Sequence, residues 1–188
     1  DKAAHPTNTM GATKLLAERL VSAANYYKGG REVVLANVRF GNVIGSRGSV
    51  TTVFYNQIIQ GGPVTVTHPE MTRFIMEVEH AVELLIRAMD RSRFGETFIL
   101  KMPVIRLKDL AAAMINVFAP KFGHHPEDVK IVETGARPGE KMYEELLSHE
   151  DSKNAVEFED MYLIKPVLKQ VGFVYPEHPD AKPVVLQR

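Results

Sequence analysis

Met10 and Lys14 stand four residues apart in "PTNTMGATK", so on a helix they project from one face. An ammonium group there can bind ribose hydroxyls, and its charge lowers the pKa of a neighbouring acid. A lysine snorkelling off a core helix has the same spacing. Further on, "RFGNVIGSRGS" follows a continuous apolar run. Gly41, Gly45 and Gly48 permit close backbone approach, and Asn42 offers an amide to a phosphate or a sugar hydroxyl. An ordinary turn-rich connection reads the same way. Arg73 in "MTRF" and Arg137 in "GARPGEK" lie in short polar segments beside apolar elements. Two guanidinium forks can clamp a diphosphate through charge-assisted hydrogen bonds. Two surface ion pairs of ~0–1 kcal/mol are the plainer alternative. Gly135, Pro138 and Gly139 fix the backbone around Arg137, which favours a positioned role. Glu140 is set to open the next helix, where its charge complements the helix dipole.

Several other chemistries find no support. Without cysteine there are no disulfides and no thiolate metal sites, which fits a reducing compartment. His124 and His125 are adjacent and diverge, while His5, His68, His80, His149 and His178 show no ligand spacing, so no metal is expected. Neither a G-x-S-x-G elbow nor a P-loop occurs. Lys+Arg and Asp+Glu are both 23, so no global field draws the chain to nucleic acid or an anionic membrane. No apolar run approaches the ~18 residues of a membrane span. A soluble, cytoplasmic protein is expected, and the opening Asp1-Lys2, without a methionine, reads as a fragment or a processed product.

The elements that must position these residues follow from hydrophobic period. A helix is expected from Thr7 to about Lys28, capped by Thr7 or Asn8, with Met10, Leu15, Leu16, Leu20 and Val21 as its apolar stripe and Gly29-Gly30 as its stop. "EVVLANVRF" suits a strand buried on both faces of a parallel sheet. "GNVIGSRGS" reads as a loop, "VTTVFYNQIIQ" as a short helix, and "PVTVT" as a strand with Val64 and Val66 on one face. "EVEHAVELLIRAMD" reads as a helix packing Val78, Ala81, Val82, Leu85 and Ile86 inward. "ETFIL" and "VKIVE" read as strands, and "RLKDLAAAMINVF" as a helix with Asp109 in its early turns. "GEKMYEELL" is expected to be a helix with its acidic residues toward solvent. From about Glu150 the pattern weakens, and Pro166, Pro176, Pro179 and Pro183 break up the tail. Strands alternating with helices argue for an α/β fold, but no strand leads into a glycine-rich dinucleotide fingerprint.

Taken together, "DKAAHPTNTMGATK", "RFGNVIGSRGSV", "VTVTHPEMTRF" and "GARPGEKMYEEL" resemble the extended short-chain dehydrogenase/reductases of polysaccharide biosynthesis, and more narrowly the inverting UDP-N-acetylglucosamine 4,6-dehydratases. The motifs run in family order from Asp1 to about Asp151. The resemblance implies the carboxyl-terminal part of a Rossmann-type, doubly wound parallel sheet plus a small α/β substrate-binding domain. Residues 1–45 and about 75–102 would be the dinucleotide-binding remnant. Residues about 46–74 and 103–150 would bind the sugar nucleotide, and 151–188 would form an irregular tail.

By the same resemblance, Asp1 is the acid that assists water loss and Lys2 the base at sugar carbon 5. Met10 replaces the tyrosine of a Y-x-x-x-K motif, as in some members of this branch, and Lys14 holds the nicotinamide ribose. Met10 cannot transfer a proton, so another group must serve the carbon-4 hydroxyl. Phe40 and Gly41 fall at the cofactor. Asn42, Ser49, Val50, Arg73, Arg137 and Glu140 fall at the substrate. NADP is the implied cofactor, with NAD not excluded; a UDP-sugar is the implied substrate, and a homo-oligomer the implied assembly. Such an enzyme abstracts the proton at carbon 5 and expels the hydroxyl at carbon 6. Because the first half of the dinucleotide-binding fold is missing from this sequence, the 188 residues alone are expected not to turn over substrate. A sugar-nucleotide epimerase or reductase on the same fold, and a non-catalytic sugar-nucleotide-binding module, are the alternative readings.

Overall fold

The computed structural model describes residues 1–167, 174, 175 and 177–184; Pro176 lies outside the described residues. Along the chain come α1 (Thr9–Tyr27), β1 (Asn37–Arg39), β2 (Asn42–Val43), α2 (Val50–Ile59), β3 (Val64–Val66) and β4 (Thr72–Met76). They are followed by α3 (Val78–Arg91), β5 (Thr97–Leu100), β6 (Val104–Arg106), α4 (Leu107–Phe118) and β7 (Ile131–Glu133). The chain continues with α5 (His149–Ser152), β8 (Ala155–Glu157), β9 (Met161–Ile164) and β10 (Lys182–Pro183). These elements divide into two units, one built from residues 1–40, 79–101 and the described residues from Glu145 on, the other from residues 41–78 and 102–144.

The first unit holds a mixed five-stranded sheet in the order β1-β5-β9-β8-β10. Only β1 and β5 run parallel, with Val38 opposite Phe98; β9, β8 and β10 add antiparallel. Leu84 and Ala88 of α3 pack with Phe98, Phe158, Met161 and Leu163 as its core. Two expectations change here. The segment after Glu150, expected to be irregular, carries β8 and β9, because Met161 and Leu163 are fully buried and pair across to Leu100 and Phe98. The "EVVLANVRF" strand shrinks to Asn37–Arg39 at the sheet edge, and Val33 and Val34 are exposed.

Helix faces also differ from their expected assignment. α3 buries Ala81, Leu84 and Ala88, and leaves Val78, Val82, Leu85 and Ile86 exposed. The small alanines let this edge of the helix approach the sheet, a quarter-turn round from the bulkier stripe that period alone selects. α1 buries Gly11, Glu18 and Asn25, while Met10, Leu16 and Leu20 are exposed. Asn8 caps it, accepting from the Gly11 amide at 2.9 Å, and Gly29 follows it with a left-handed φ of 62°.

The second unit packs α2 and α4 around a parallel β3/β7 pair and a three-stranded β2-β4-β6 sheet. Phe54, Ile58, Val64, Val66, Met71, Leu107 and Ala111 form its centre. The two-residue strand β2 pairs parallel to β4 inside the segment expected to be a loop. "GEKMYEELL" is not a helix; Glu140 and Glu144 turn instead to Arg73, with side chains 25% and 14% exposed, so tertiary ion pairs override helix propensity there.

Candidate active site

A cleft of about 390 Å³ opens in the first unit, lined by Asp1, Lys2, Lys14, Glu18, Arg39 and Phe40 over an apolar wall that includes Val21, Ala36 and Val38. The Asp1–Pro6 segment delivers the first two residues. Its Asp1 nitrogen donates to the Phe40 carbonyl at 3.2 Å, Ala4 is buried, and His5 pairs with Glu145 at 3.2 Å. His5 adopts φ 46°, a left-handed conformation sparsely populated outside glycine. Gly11 is what lets this segment lie against α1: a Cβ there would stand 2.8 Å from the Lys2 carbonyl and 2.9 Å from Pro6 Cβ. Lys2 Nζ then reaches Asp1 Oδ1 at 3.2 Å, with Asp1 side-chain exposure 6% and Lys2 53%. Lys14 enters the cleft one turn beyond Met10, whereas Met10 itself is 59% exposed and does not line it.

The cleft is held from behind by a buried ion cluster. Arg39 clamps Glu18 through two hydrogen bonds of 2.7 Å, and its Nη1 reaches Asp151 Oδ2 at 2.8 Å and the Leu146 carbonyl at 2.9 Å. Asp151 belongs to a capping box with Ser148 at the start of α5. Burial alone would raise the Asp151 carboxyl, but its bond to Arg39, the Arg39 charge and the Ser148 bonds outweigh burial and hold it below the usual range. Glu18 and then Asp151 raise Arg39 against the opposing effect of its burial. Helix α1 and the stretch from Leu146 to Asp151 are thereby tied to the last residue of β1, immediately before Phe40.

A second cavity, of about 300 Å³, lies wholly in the second unit. Asn42, Val50, Arg73, Arg137 and Glu140 line it together with Thr65, Thr67 and Thr134. Arg73 is 8% exposed: Nη1 donates to the Thr72 and Lys141 carbonyls at 2.7 and 3.0 Å, Nη2 to Met71 Sδ at 2.8 Å, and Nε faces Glu144 at 3.6 Å. Glu140 Oε1 stands 3.5 Å from Nη2, and its other oxygen accepts from the Arg137 amide at 3.1 Å. The Arg137 side chain is exposed and has no ion pair among the described residues.

Of the residues singled out in the sequence, Asp1, Lys2, Lys14 and Phe40 come together in the first cleft. Asn42, Val50, Arg73, Arg137 and Glu140 come together in the second cavity. Met10, Gly41 and Ser49 line neither. Gly41 answers a packing demand, since a Cβ would meet Phe74 Cβ at 2.5 Å, and Ser49 precedes α2 with its hydroxyl 2.8 Å from that of Thr51. Sequence reasoning missed Glu18, Arg39, Thr65, Thr67 and Thr134. Thr65 and Thr67 alternate with buried Val64 and Val66, which was the available signal. No group of three or more possible metal ligands occurs among the described residues, and none of their helices is long and apolar enough to cross a membrane.

The model of one protein family, described as polysaccharide biosynthesis protein, matches residues 1–166. An uncharacterized membrane protein of Methanocaldococcus jannaschii is 54% identical over 166 residues, which are 88% of this chain and 50% of that protein. A UDP-glucose 4-epimerase of Rickettsia canadensis is 42% identical over 164 residues, 87% of this chain and 46% of its own length. A UDP-N-acetylglucosamine 4,6-dehydratase (inverting) of Campylobacter jejuni is 40% identical over 172 residues, 91% and 48% of the two chains. The chain thus spans about half the length of these relatives. Among solved structures, Pen from Bacillus thuringiensis superposes with a TM-score of 0.85 at 48% identity, covering 97% of this chain and 53% of that one. DesIV, a dTDP-glucose 4,6-dehydratase from Streptomyces venezuelae solved with NAD, gives a TM-score of 0.61 at 15% identity over 79% of this chain and 45% of its own, a likeness of fold alone. Four ordered motifs, a Rossmann-type α/β fold and a family match over residues 1–166 converge: the chain belongs to the polysaccharide biosynthesis protein family.

Proposed function

We propose that this chain forms the catalytic-helix and substrate-binding part of an NADP-dependent, inverting UDP-N-acetylhexosamine 4,6-dehydratase, working in the cytoplasm as a homo-oligomer. The observation that carries the reading is the Asp1–Lys2 pair at 3.2 Å in a cleft that Lys14 also lines. A carboxylate and an ammonium in contact share one proton between two basic sites. When it rests on Asp1, the pair becomes a carboxylic acid beside a neutral amine, which is the state the elimination needs. Lys2 then takes the proton from sugar carbon 5, and Asp1 gives its proton to the departing carbon-6 hydroxyl. Both residues end charged, as in the resting pair. Each general acid or base step contributes ~10²–10⁴-fold.

NADP, when bound, supplies the hydride acceptor at the start and the hydride donor at the end. The first cleft fits the nicotinamide-ribose end of such a cofactor: Lys14 offers donors to the ribose hydroxyls, and Phe40 with the Val21, Ala36 and Val38 wall offers an apolar face. The glycine turn between β2 and α2, "GSRGS", lacks the G-x-G-x-x-G spacing that takes the diphosphate of such a cofactor. The second cavity supplies hydroxyl, amide and guanidinium donors suited to a sugar diphosphate. Met10 donates no proton, so the proton of the carbon-4 hydroxyl leaves by another group or by water.

The Rickettsia relative supports a second reading, a sugar-nucleotide 4-epimerase on the same framework. Incubating the intact enzyme of the proposed function, which contains this chain, with UDP-N-acetylglucosamine and NADP+ separates the two. A product lighter by one water is expected, and a product of unchanged mass would select the epimerase. Binding of the UDP-sugar with no product at all would leave a non-catalytic binding module.

A further inference from the structure

The second cavity contains one cation that is fixed and one anion that is not. Arg73 sits on β4 with Nη1 locked between two carbonyls, so its guanidinium keeps its place whatever happens around it. Glu140 sits on the irregular segment after β7, between Gly139, with φ 77°, and the start of "KMYEELL". Gly135, with φ 85°, lies at the other end of the same segment. A Cβ at Gly135 would meet no atom within 4 Å, so the glycine is there for its backbone conformation rather than for space. Two of the contacts that hold the Glu140 carboxylate are long, 3.5 Å to Arg73 Nη2 and 3.4 Å from the Thr67 hydroxyl, beside an ordinary 3.1 Å bond from the Arg137 amide. Contacts of that length exchange easily compared with the 2.7 Å bonds around Arg39.

Of the charged residues that line the cavity, Arg73 and Arg137 are positive and Glu140 is negative, and Glu144 faces Arg73 Nε from outside the lining. A diphosphate entering this arrangement finds the Nη2 edge of Arg73 that it needs already facing a carboxylate. Freed of Glu140, the same edge becomes available, and the cluster facing the ligand gains one positive charge.

We infer that Glu140 is a built-in anion that occupies Arg73 while the cavity is empty, and that a diphosphate group binds there by displacing it. The inference rests on the cavity being the diphosphate site of the proposed function. Glu140 therefore sets how strongly the site discriminates against small anions: only a ligand that gains enough contacts elsewhere in the cavity repays the displacement.

The test is titration calorimetry of inorganic pyrophosphate and of UDP into the purified wild-type protein and into Glu140→Gln, with folding checked by thermal melting. Glutamine keeps the reach to Thr67 and the Arg137 amide but loses the charge on Arg73. If the carboxylate occupies Arg73 about nine-tenths of the time, Glu140→Gln binds pyrophosphate about tenfold more tightly than wild type. Thr67→Val leaves the charge but removes one of its anchors, and a smaller tightening in the same direction is expected. Equal or weaker pyrophosphate binding by both variants, with UDP still bound by the wild type, overturns the inference while leaving the site reading intact. No UDP binding by the wild type overturns the site reading itself, and the inference with it.

Discussion

Lys2 carries the heaviest chemical assignment, and its surroundings are legible only in part from sequence. Lys2→Met is expected to lower the rate of product formation by about 10²–10⁴-fold with little change in UDP-sugar affinity, measured as kcat against KM. An equal loss in both would make Lys2 a binding residue instead. Lys14 lines the cleft while Met10, four residues earlier, does not, so their spacing alone did not decide which of the two reaches it. Glu18, one turn further along, was not singled out; its partner Arg39 lies 21 places away inside an apolar run, and nothing local joins the two. Arg39→Met tests their role. It leaves Glu18 and Asp151 buried without their cation, so the protein should lose about 3–5 kcal/mol at pH 7 in a denaturant melt. The pH dependence has a definite sign. The Asp151 carboxyl lies below its unfolded value in the native state, so it stabilises the fold above about pH 4 and loses that contribution as the pH falls through its native value. Without Arg39 its burial pushes it up instead, so the gap between wild type and variant should narrow on acidification. A gap constant from pH 7 to pH 3 would contradict the assignment.

Elements follow the sequence where one face dominates and depart from it where two compete. α2, β3, β5, α4 and β7 all lie where the sequence pattern put them. α3 offers two apolar faces, and the narrower one with Ala81 and Ala88 is buried, because close approach to a sheet favours small side chains over the greater area of Val82, Leu85 and Ile86. The "GEKMYEELL" segment was misread for a related reason: its helical composition is local, whereas the Arg73 that captures Glu140 and Glu144 is distant in sequence. The strands after Glu150 were obscured by their prolines, although Met161 and Leu163 alternate with Tyr162. Leu163→Ala should therefore cost about 2–5 kcal/mol, as for any fully buried leucine, and a loss under 1 kcal/mol in a urea melt would show that β9 is not part of the core. Gly11→Ala probes positioning. Its Cβ would meet the Lys2 backbone at 2.8 Å, so the Asp1–Lys2 segment must shift, and a displacement of this order costs about 10²-fold in rate. Full activity in this variant would show that the segment tolerates movement.

At the scale of the whole molecule, the two clusters have different characters, and that difference supports the division of labour. The first unit gathers the Asp1–Lys2 ion pair and Lys14 over an apolar wall, which suits the proposed acid–base site beside a flat cofactor ring. The second gathers guanidinium, hydroxyl and amide donors around a cavity, as a sugar diphosphate requires. Family membership was legible because four motifs keep their order from Asp1 to about Asp151, and order across separate motifs is far more specific than any one of them; the family match spans residues 1–166. The reaction was less legible, since dehydratase and epimerase relatives are almost equally similar to this chain, at 40% and 42% identity. The dehydratase removes the carbon-5 proton and loses the carbon-6 hydroxyl, the epimerase does neither, and the first of these events can be observed directly. Running the reaction of the intact enzyme of the proposed function with UDP-N-acetylglucosamine and NADP+ in heavy water and weighing the product by mass spectrometry reports it. A product that has lost one water and carries one solvent deuterium at carbon 5 is the predicted result; a product of unchanged formula with no deuterium at that carbon would contradict the assignment of Asp1 and Lys2.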